Sequence, residues 1–310
     1  MRLIIDTDAG VDDAQAILMA LAYPGVTVEA ITTVTGNTHV DWVIRNVFTV
    51  LNLKGMSVPV YRGAASPLVP GFWKPEVRVH GEDGLGNYQQ RPARYPDVEP
   101  EPAAMALVRL ADAAPGELTL VALGPLTNVA LACRLDPDFP RKIKQFVFMG
   151  GTIAAKGNTA PHITAEFNIH CDPEAALIAL DAFPLSTMLS WETTLYHPFS
   201  WQQYDALVAQ DSAAARFVAD TTRGTVTFLR QHPRVPGYLL PDPLAMAVAL
   251  DPALIQSCER HYVTVEVGGL QTRGQTVVDY FGLLERDPNV DVVTGVDTAG
   301  VYELFRRALT

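Results

Sequence analysis

The chain runs Asp-Thr-Asp-Ala-Gly-Val-Asp-Asp from Asp6 to Asp13, so four carboxylates fall within eight residues. The apolar run 3–5 before it predicts a β-strand, and Asp6 and Asp8 then share one face because strand side chains alternate with period two. Asp12 and Asp13 fall at the N-terminus of the helix predicted next. Four like charges this close repel one another unless a positive charge lies among them. The stretch therefore indicates a strand–helix turn that holds a cation.

Three other interpretations of the aspartates explain less. Capping of the helix accounts for one Asp or two, but not for four. Ligation by oxygen alone favours calcium or magnesium over zinc, yet an EF-hand needs Glu at the twelfth position of its loop, and counting from Asp6 that position is Ile17. The Asp-x-Asp of haloacid-dehalogenase-like phosphatases usually continues with Thr or Val, whereas Gly10 stands at that place.

Outward from this turn, β-rich runs alternate with helical patterns, which predicts an α/β fold with an open, mostly parallel sheet and helices on both faces. Strands are predicted at 2–6, 26–34, 58–61, 118–123, 145–149 and 185–189, with a hairpin at 263–267 and 276–281. Helices are predicted at 42–53, 103–113, 173–181, 213–230, 243–250 and 298–308, and an apolar stripe of Ala14, Ile17, Leu18 and Leu21 predicts another after the first strand. The stretches 63–102 and 233–241 are irregular, but no composition shift divides residues 1–310 into more than a single domain.

Composition and charge limit the partners and the cellular location that we expect for the protein. The 310 residues are 48% hydrophobic and 18% charged, which is enough apolar material for a large core. A formal charge of −11 repels phosphate backbones and anionic surfaces, so we expect neither nucleic acid nor a membrane as partner. The cysteines Cys133, Cys171 and Cys258 lack CxxC spacing. With no signal peptide or long apolar stretch either, we expect a soluble cytoplasmic protein.

Several segments together carry a family resemblance. Residues 6–14 resemble the signature of the inosine-uridine-type nucleoside hydrolases, although Ala9 stands where that family usually has Pro. Further segments agree with the family in order and approximate spacing, namely 32–37, 123–128, 149–151, 165–169 leading to 172–176, and 242–243. The resemblance implies hydrolysis of the N-glycosidic bond of ribonucleosides to ribose and free base, a tightly bound calcium ion, and a homodimer or homotetramer.

The resemblance also implies a metal site and a catalytic base. Carried over position by position, Asp8, Asp13 and Asp242 bind Ca²⁺ through carboxylate oxygens, and Leu123 binds it through its backbone carbonyl. Asp8 is then the base that accepts a proton from the calcium-bound water that attacks the ribose.

A second set of residues is implied to bind the nucleoside. The resemblance assigns the ribose hydroxyls to Asp12, Asn37, Asn158, Glu166 and Asn168, and places Met149 under the sugar. Taken alone, Asn37 and Asn158 each neighbour a glycine and are typical of turns. Two more residues separate Asn158 from Glu166 than the family spacing has, so Asn158 departs most from the pattern.

The residue before the last aspartate is a further departure. Many members of the family have a His immediately before the final calcium ligand to protonate the leaving base, and here that residue is Pro241. His80 is the first alternative donor because imidazole exchanges protons near neutral pH. Other candidates near the base are Trp73 for stacking on a purine, and Arg230, His232, Arg234 and Tyr238 for leaving-group activation. The loss of the His also leaves open a second hypothesis, a ribose-binding or low-activity paralogue.

We predict that p-nitrophenyl riboside, whose leaving group is stable as an anion, is hydrolysed much faster than inosine or uridine. Protonation of a leaving group is worth about 10² to 10⁴ in rate, and Pro241 has no proton to donate. His80→Ala should slow the natural substrates more than the activated one in steady-state assays. Comparable wild-type rates on all three substrates would show that an efficient acid is present.

Overall fold

The computed structural model describes residues 1–71, 73–232 and 235–310. Its strands are β1 (Arg2–Thr7), β2 (Thr27–Thr33), β3 (Val60–Arg62), β4 (Leu118–Ala122), β5 (Gln145–Met149), β6 (Ser186–Leu189), β7 (Ile255–Val265), β8 (Thr276–Asp279) and β9 (Val290–Val296). Its helices are α1 (Val11–Ala22), α2 (Val40–Lys54), α3 (Val77–His80), α4 (Ala103–Ala113), α5 (Thr127–Leu135), α6 (Phe139–Lys142), α7 (Phe167–Cys171), α8 (Pro173–Ala182), α9 (Trp191–Tyr196), α10 (Trp201–Val208), α11 (Ala213–Thr221), α12 (Arg223–Arg230), α13 (Pro241–Leu250) and α14 (Thr298–Ala308).

The strands form one sheet in the order β3-β2-β1-β4-β5-β6-β9-β7-β8. Pairing is parallel from β3 through β9, while β7 runs antiparallel to both β9 and β8. This topology confirms the predicted open, mostly parallel α/β sheet, and the predicted hairpin corresponds to β7 and β8.

The first strand is buried on both faces, which explains its unbroken apolar run. Leu3 and Ile5 belong to a core shared with α1, α2 and α13, whereas Ile4 belongs to a second core shared with α4 and α5. Of the predicted stripe on α1, Ala14, Ile17 and Leu18 are buried and Leu21 is half-buried. Helices therefore cover both faces, and β1 lies between β2 and β4 near the middle of the parallel strands.

The secondary-structure prediction was wrong at one helix and incomplete elsewhere. The single helix predicted over 213–230 is two helices, α11 and α12, divided at Thr222. The Thr222 hydroxyl donates to the carbonyl of Val218, four residues earlier, a bond that competes with the helical ladder and bends helices. Strand β9 and the helices α3, α5, α6, α7, α9 and α10 had not been predicted, although β9 completes the parallel part of the sheet beside β6.

The irregular stretch 63–102 contains only the short helix α3 among its described residues, as the loop prediction implied. In the described ranges, no helix combines the length and the apolar character that crossing a membrane requires.

Candidate active site

The carboxyl ends of adjacent parallel strands bring the predicted site residues together. Asp8 follows β1, Asn37 follows β2, Leu123 follows β4 and Met149 ends β5. Ligands of open α/β sheets bind at this edge. A cavity of about 230 Å³ opens there, and its wall includes the predicted residues Asp12, Asn37, His80, Leu123, Met149, Asn158, Glu166, Asn168 and Asp242.

The two remaining predicted residues, Asp8 and Asp13, are completely buried beside this wall. Asp13 Oδ1 accepts a hydrogen bond from Thr7 Oγ1 at 2.5 Å, and its Oδ2 accepts from Gly10 N at 2.8 Å and from Asn37 Nδ2 at 3.1 Å. Asp8 Oδ2 accepts from Asn37 N at 2.7 Å. Asp8 Oδ1, in contrast, has no hydrogen-bond partner among the described residues, so one buried carboxylate oxygen is left for another kind of ligand.

The electrostatics of this cluster favour a cation. Burial, followed by repulsion from Asp13, raises the pKa of Asp8 well above its ordinary range. Burial and then repulsion from Asp12, Asp13 and Asp8 do the same to the pKa of Asp242. Both effects penalise the ionised carboxylates, and a bound positive charge reverses that penalty.

The donor chemistry fits a hard metal ion. Asp12, Asp13 and Asp242 each offer a carboxylate oxygen, and these oxygens lie within 4.8 Å of one another. The group therefore includes Asp12, which the sequence had assigned to the ribose, while Asp8 lies beside Asp13 with its free Oδ1. Ligation by oxygen alone is typical of calcium and magnesium.

Close backbone approach explains two glycines of the matched segments. A Cβ atom on Gly36 would lie 2.0 Å from Asp8 Oδ2, and one on Gly10 would lie 2.4 Å from Asn37 Nδ2. Neither contact is possible for real atoms, so the loop after β2 packs against Asp8 only because residue 36 has no side chain.

Beside the carboxylate cluster, Glu166 and Asn168 form a fixed polar wall. Glu166 caps α7, with Oε1 accepting from Asn168 N at 2.9 Å and Oε2 accepting from Gly151 N at 3.0 Å. Asn168 Nδ2 donates to the carbonyl oxygens of Leu123 at 2.7 Å and Met149 at 3.1 Å. Burial raises the pKa of Glu166 to about 7. Near neutral pH the Glu166 carboxyl group can therefore accept a hydrogen bond when it is ionised and donate one when it is protonated.

On the other side of the cavity, His80 is buried and its orientation is set by α1. His80 Nδ1 accepts a hydrogen bond from Val11 N at 3.1 Å and lies 3.7 Å from Asp12 Oδ1. Because Nδ1 is the acceptor, the neutral ring carries its proton on Nε2. Pro241 is the first residue of α13, a position that proline favours, and it contributes only apolar surface to the wall.

The other residues that the sequence analysis placed near the leaving base differ in whether they line the cavity. Tyr238 and His232 line the cavity. Arg230 does not, because it pairs with Asp205 at 2.8 Å on the surface. Trp73, for which a packing role is the alternative to stacking on a purine, is also outside the wall, and its Nε1 donates to the carbonyl of Gly36 at 2.6 Å. Arg234 lies outside the described residues.

Two aromatic residues of the wall, Trp191 and Phe228, were missed by the sequence analysis. Trp191 begins α9 directly after β6, at the same edge of the sheet as the other strand ends. Trp191 could therefore have been predicted from its position, because ligands bind at the carboxyl ends of the strands. Phe228 lies on α12, far from any strand end, and no comparable signal marks it.

Comparison with known proteins agrees with this geometry. Residues 3–303 match the inosine-uridine preferring nucleoside hydrolase family. The chain belongs to this family. The pyrimidine-specific ribonucleoside hydrolase RihA of Citrobacter koseri is 36% identical over 315 residues, covering 100% of this chain and 98% of that protein. This nucleoside hydrolase is accordingly an N-glycosidase that acts on ribonucleosides.

Solved structures of relatives resemble the nucleoside hydrolase over its whole length. An inosine–guanosine nucleoside hydrolase superposes with a TM-score of 0.89 at 34% identity and covers 99% of this chain and 98% of its own. A purine-preferring ribonucleoside hydrolase from Gardnerella vaginalis has a TM-score of 0.90 at 30% identity, covering 100% and 98%. The names of these relatives span pyrimidine and purine substrates, so family membership alone leaves the base open.

Substitution of Gly36 tests the packing around Asp8. In Gly36→Ala the new methyl group displaces the Asp8 carboxylate, and a displacement of about 1 Å within an active site can cost about 10² in rate. We expect that loss in kcat/KM for inosine and uridine. Gly224→Ala is the control, because a Cβ there meets no atom within 4 Å, and it should retain wild-type kinetics. Wild-type kinetics for Gly36→Ala as well would mean that the position of Asp8 does not limit the reaction.

Proposed function

We propose that this nucleoside hydrolase cleaves the N-glycosidic bond by direct attack of water on the ribose, with Asp8 as the base and calcium as the resident metal ion. The observation that carries the proposal is the buried carboxylate cluster in which Asp8 Oδ1 has no hydrogen-bond partner among the described residues. A buried carboxylate oxygen without a hydrogen-bond partner is destabilising unless it binds a cation or accepts a proton during the reaction.

The proposed ligands of calcium are the carboxylates of Asp8, Asp13 and Asp242 together with the carbonyl oxygen of Leu123. Asp12 supports this assignment, since its carboxylate adds a further oxygen close to those of Asp13 and Asp242. When bound, the ion supplies positive charge that polarises oxygen atoms and keeps the surrounding carboxylates ionised.

The ribose is proposed to lie against Asp12, Asn37, Asn158, Glu166 and Asn168, with Met149 beneath it. Departure of the base leaves an oxocarbenium-like ribosyl cation, which the neighbouring carboxylates stabilise. Glu166 and Asn168 are held by several hydrogen bonds to backbone groups before the substrate arrives. That preorganisation lowers the cost of orienting the sugar.

Asp8 is proposed to accept the proton of the attacking water. Asn37 N donates to Asp8 Oδ2 and so fixes the carboxylate, and Oδ1, which has no hydrogen-bond partner among the described residues, has lone pairs for both the metal ion and the proton. The carboxylate therefore needs no rearrangement before proton transfer, and a base fixed within reach of its proton typically contributes about 10² to 10⁴ in rate.

A ribose-binding or low-activity paralogue is the second candidate, and Pro241 is the observation that favours it. The two candidates differ in reducing-sugar release from a panel of nucleosides and related N-ribosides, measured with the metal retained. Release from at least one member of the panel supports hydrolysis, whereas its absence from all of them supports binding alone.

Location and assembly are also part of the proposal. The cysteines Cys133, Cys171 and Cys258 are free thiols, which is consistent with the cytoplasm. A homodimer or homotetramer is consistent with the apolar residues exposed after β8, which are Tyr280, Phe281, Leu283 and Leu284.

We predict that Asp8→Asn lowers kcat for inosine and uridine by at least about 10² to 10⁴, because it removes the base and a charge from the metal cluster. Asp41→Asn is the control, since Asp41 pairs with Arg62 on the surface, and it should keep wild-type kcat. Calcium content measured on both variants separates loss of the base from loss of the metal. Wild-type turnover in folded Asp8→Asn would show that another group activates the water.

A further inference from the structure

Tyr238 is buried in the wall of the cavity, and the reaction proposed above gives it no role. Its side chain is 2% exposed, and its backbone pairs with Phe199 through both N–H and C=O. Its ring packs against Tyr204 with centroids 4.6 Å apart. The phenol is therefore held rigidly, three residues before Pro241 on the side of the cavity where a leaving-group donor is missing.

The direction of one hydrogen bond determines what this phenol offers. Gln15 Nε2 donates to Tyr238 Oη at 2.7 Å and to the carbonyl oxygen of Val11 at 3.2 Å. A carbonyl oxygen only accepts, so the amide nitrogen of Gln15 faces both groups and Tyr238 Oη is an acceptor in this contact. The phenol proton is consequently not used there, and Tyr238 donates it to no other described residue.

The phenol also keeps its proton. Burial raises the pKa of Tyr238 well above its ordinary value, and the nearby Tyr204 and Asp12 act in the same direction. A tyrosine in this state donates a hydrogen bond at any pH near neutrality without giving its proton away. It thus differs from an imidazole, which donates a proton outright.

We propose that Tyr238, oriented by Gln15, donates a hydrogen bond to the departing base. The inference rests on the proposed function. As the bond between C1′ and the base nitrogen breaks, its electron pair passes to the base, while the oxygen of water bonds to C1′ and one proton of that water passes to Asp8. The negative charge on the base is stabilised through an acceptor atom, a ring nitrogen or carbonyl oxygen, that faces Tyr238 Oη. The proton that finally neutralises the base comes from solvent, and Tyr238 keeps its own.

This arrangement gives α1 a second role besides supplying Asp12 and Asp13. Val11 N orients His80 from one side of the helix start, and Gln15 orients Tyr238 one turn further on. Both residues line the cavity, and α1 contacts the ring of each. The first turns of α1 therefore connect the metal cluster to the base side of the cavity.

Tyr238→Phe tests the proposal with substrates that differ only in the leaving group. A preorganised donor aimed at developing negative charge is worth about 10² to 10³ in rate, so we expect kcat for inosine and uridine to fall by about 10² or more. The rate on p-nitrophenyl riboside, whose anion needs no such help, should stay close to that of the wild type. Gln15→Met, which removes the donor that orients the phenol, should give a smaller fall with the same dependence on the leaving group.

Tyr204→Phe is the matched control, because Tyr204 is buried against Tyr238 but its hydroxyl interacts with Thr222 and it is not part of the cavity wall. It should keep wild-type rates on all three substrates. An equal fall on activated and natural substrates in Tyr238→Phe, or no fall at all in a folded variant, would overturn the proposal. A wild-type enzyme that released ribose from none of the three would contradict the proposed function, and this inference with it.

Discussion

Mutual repulsion among buried carboxylates is the constraint on which the rest of this structure depends. Asp8 and Asp13 are completely buried and Asp242 almost so, close enough that each raises the free energy of ionising its neighbours. Folding brings them together only because specific groups compensate. Asp13 receives hydrogen bonds from Thr7, Gly10 and Asn37, and Asp12, Asp13 and Asp242 lie in the first turns of α1 and α13, where the helix dipole favours negative charge. The oxygen left without a partner on Asp8 points to a cation as the remaining compensation.

The fold follows from the same requirement. A parallel sheet places all its carboxyl ends at one edge, so side chains that follow β1, β2, β4 and β5 converge although they lie far apart in sequence. Helix α13 packs against α1 and brings Asp242 to the cluster from the far end of the chain. The carboxylate cluster and the proposed base side of the cavity also share α1, since its first turns hold Asp12 and Asp13 and also orient His80 and Tyr238.

The sequence predicted the sheet well, and it marked a carboxylate cluster, because both are local patterns. An apolar run marks β1, and amphipathic repeats mark α4 and α14. Four of the aspartates, Asp6, Asp8, Asp12 and Asp13, fall within eight residues at one strand–helix turn. Strand β9 was missed although Val290, Val292 and Val293 are buried in it, and the division between α11 and α12 depends on a hydroxyl of Thr222 that no periodicity shows. The base side was predictable only in part, because its wall joins α3, α9, α12 and the segment around Tyr238 through tertiary contacts. The bond between Gln15 and Tyr238 spans 223 residues, and no spacing rule finds such a pair.

The calcium content of the protein is the most direct test, because a bound cation is the compensation that we propose for the buried carboxylates. Elemental analysis of the purified protein, repeated after chelation and titration with calcium, should give about one tightly bound ion per chain. Protein that carries no calcium and binds none when it is added would contradict the account, since Asp8, Asp13 and Asp242 would then be stable without a cation.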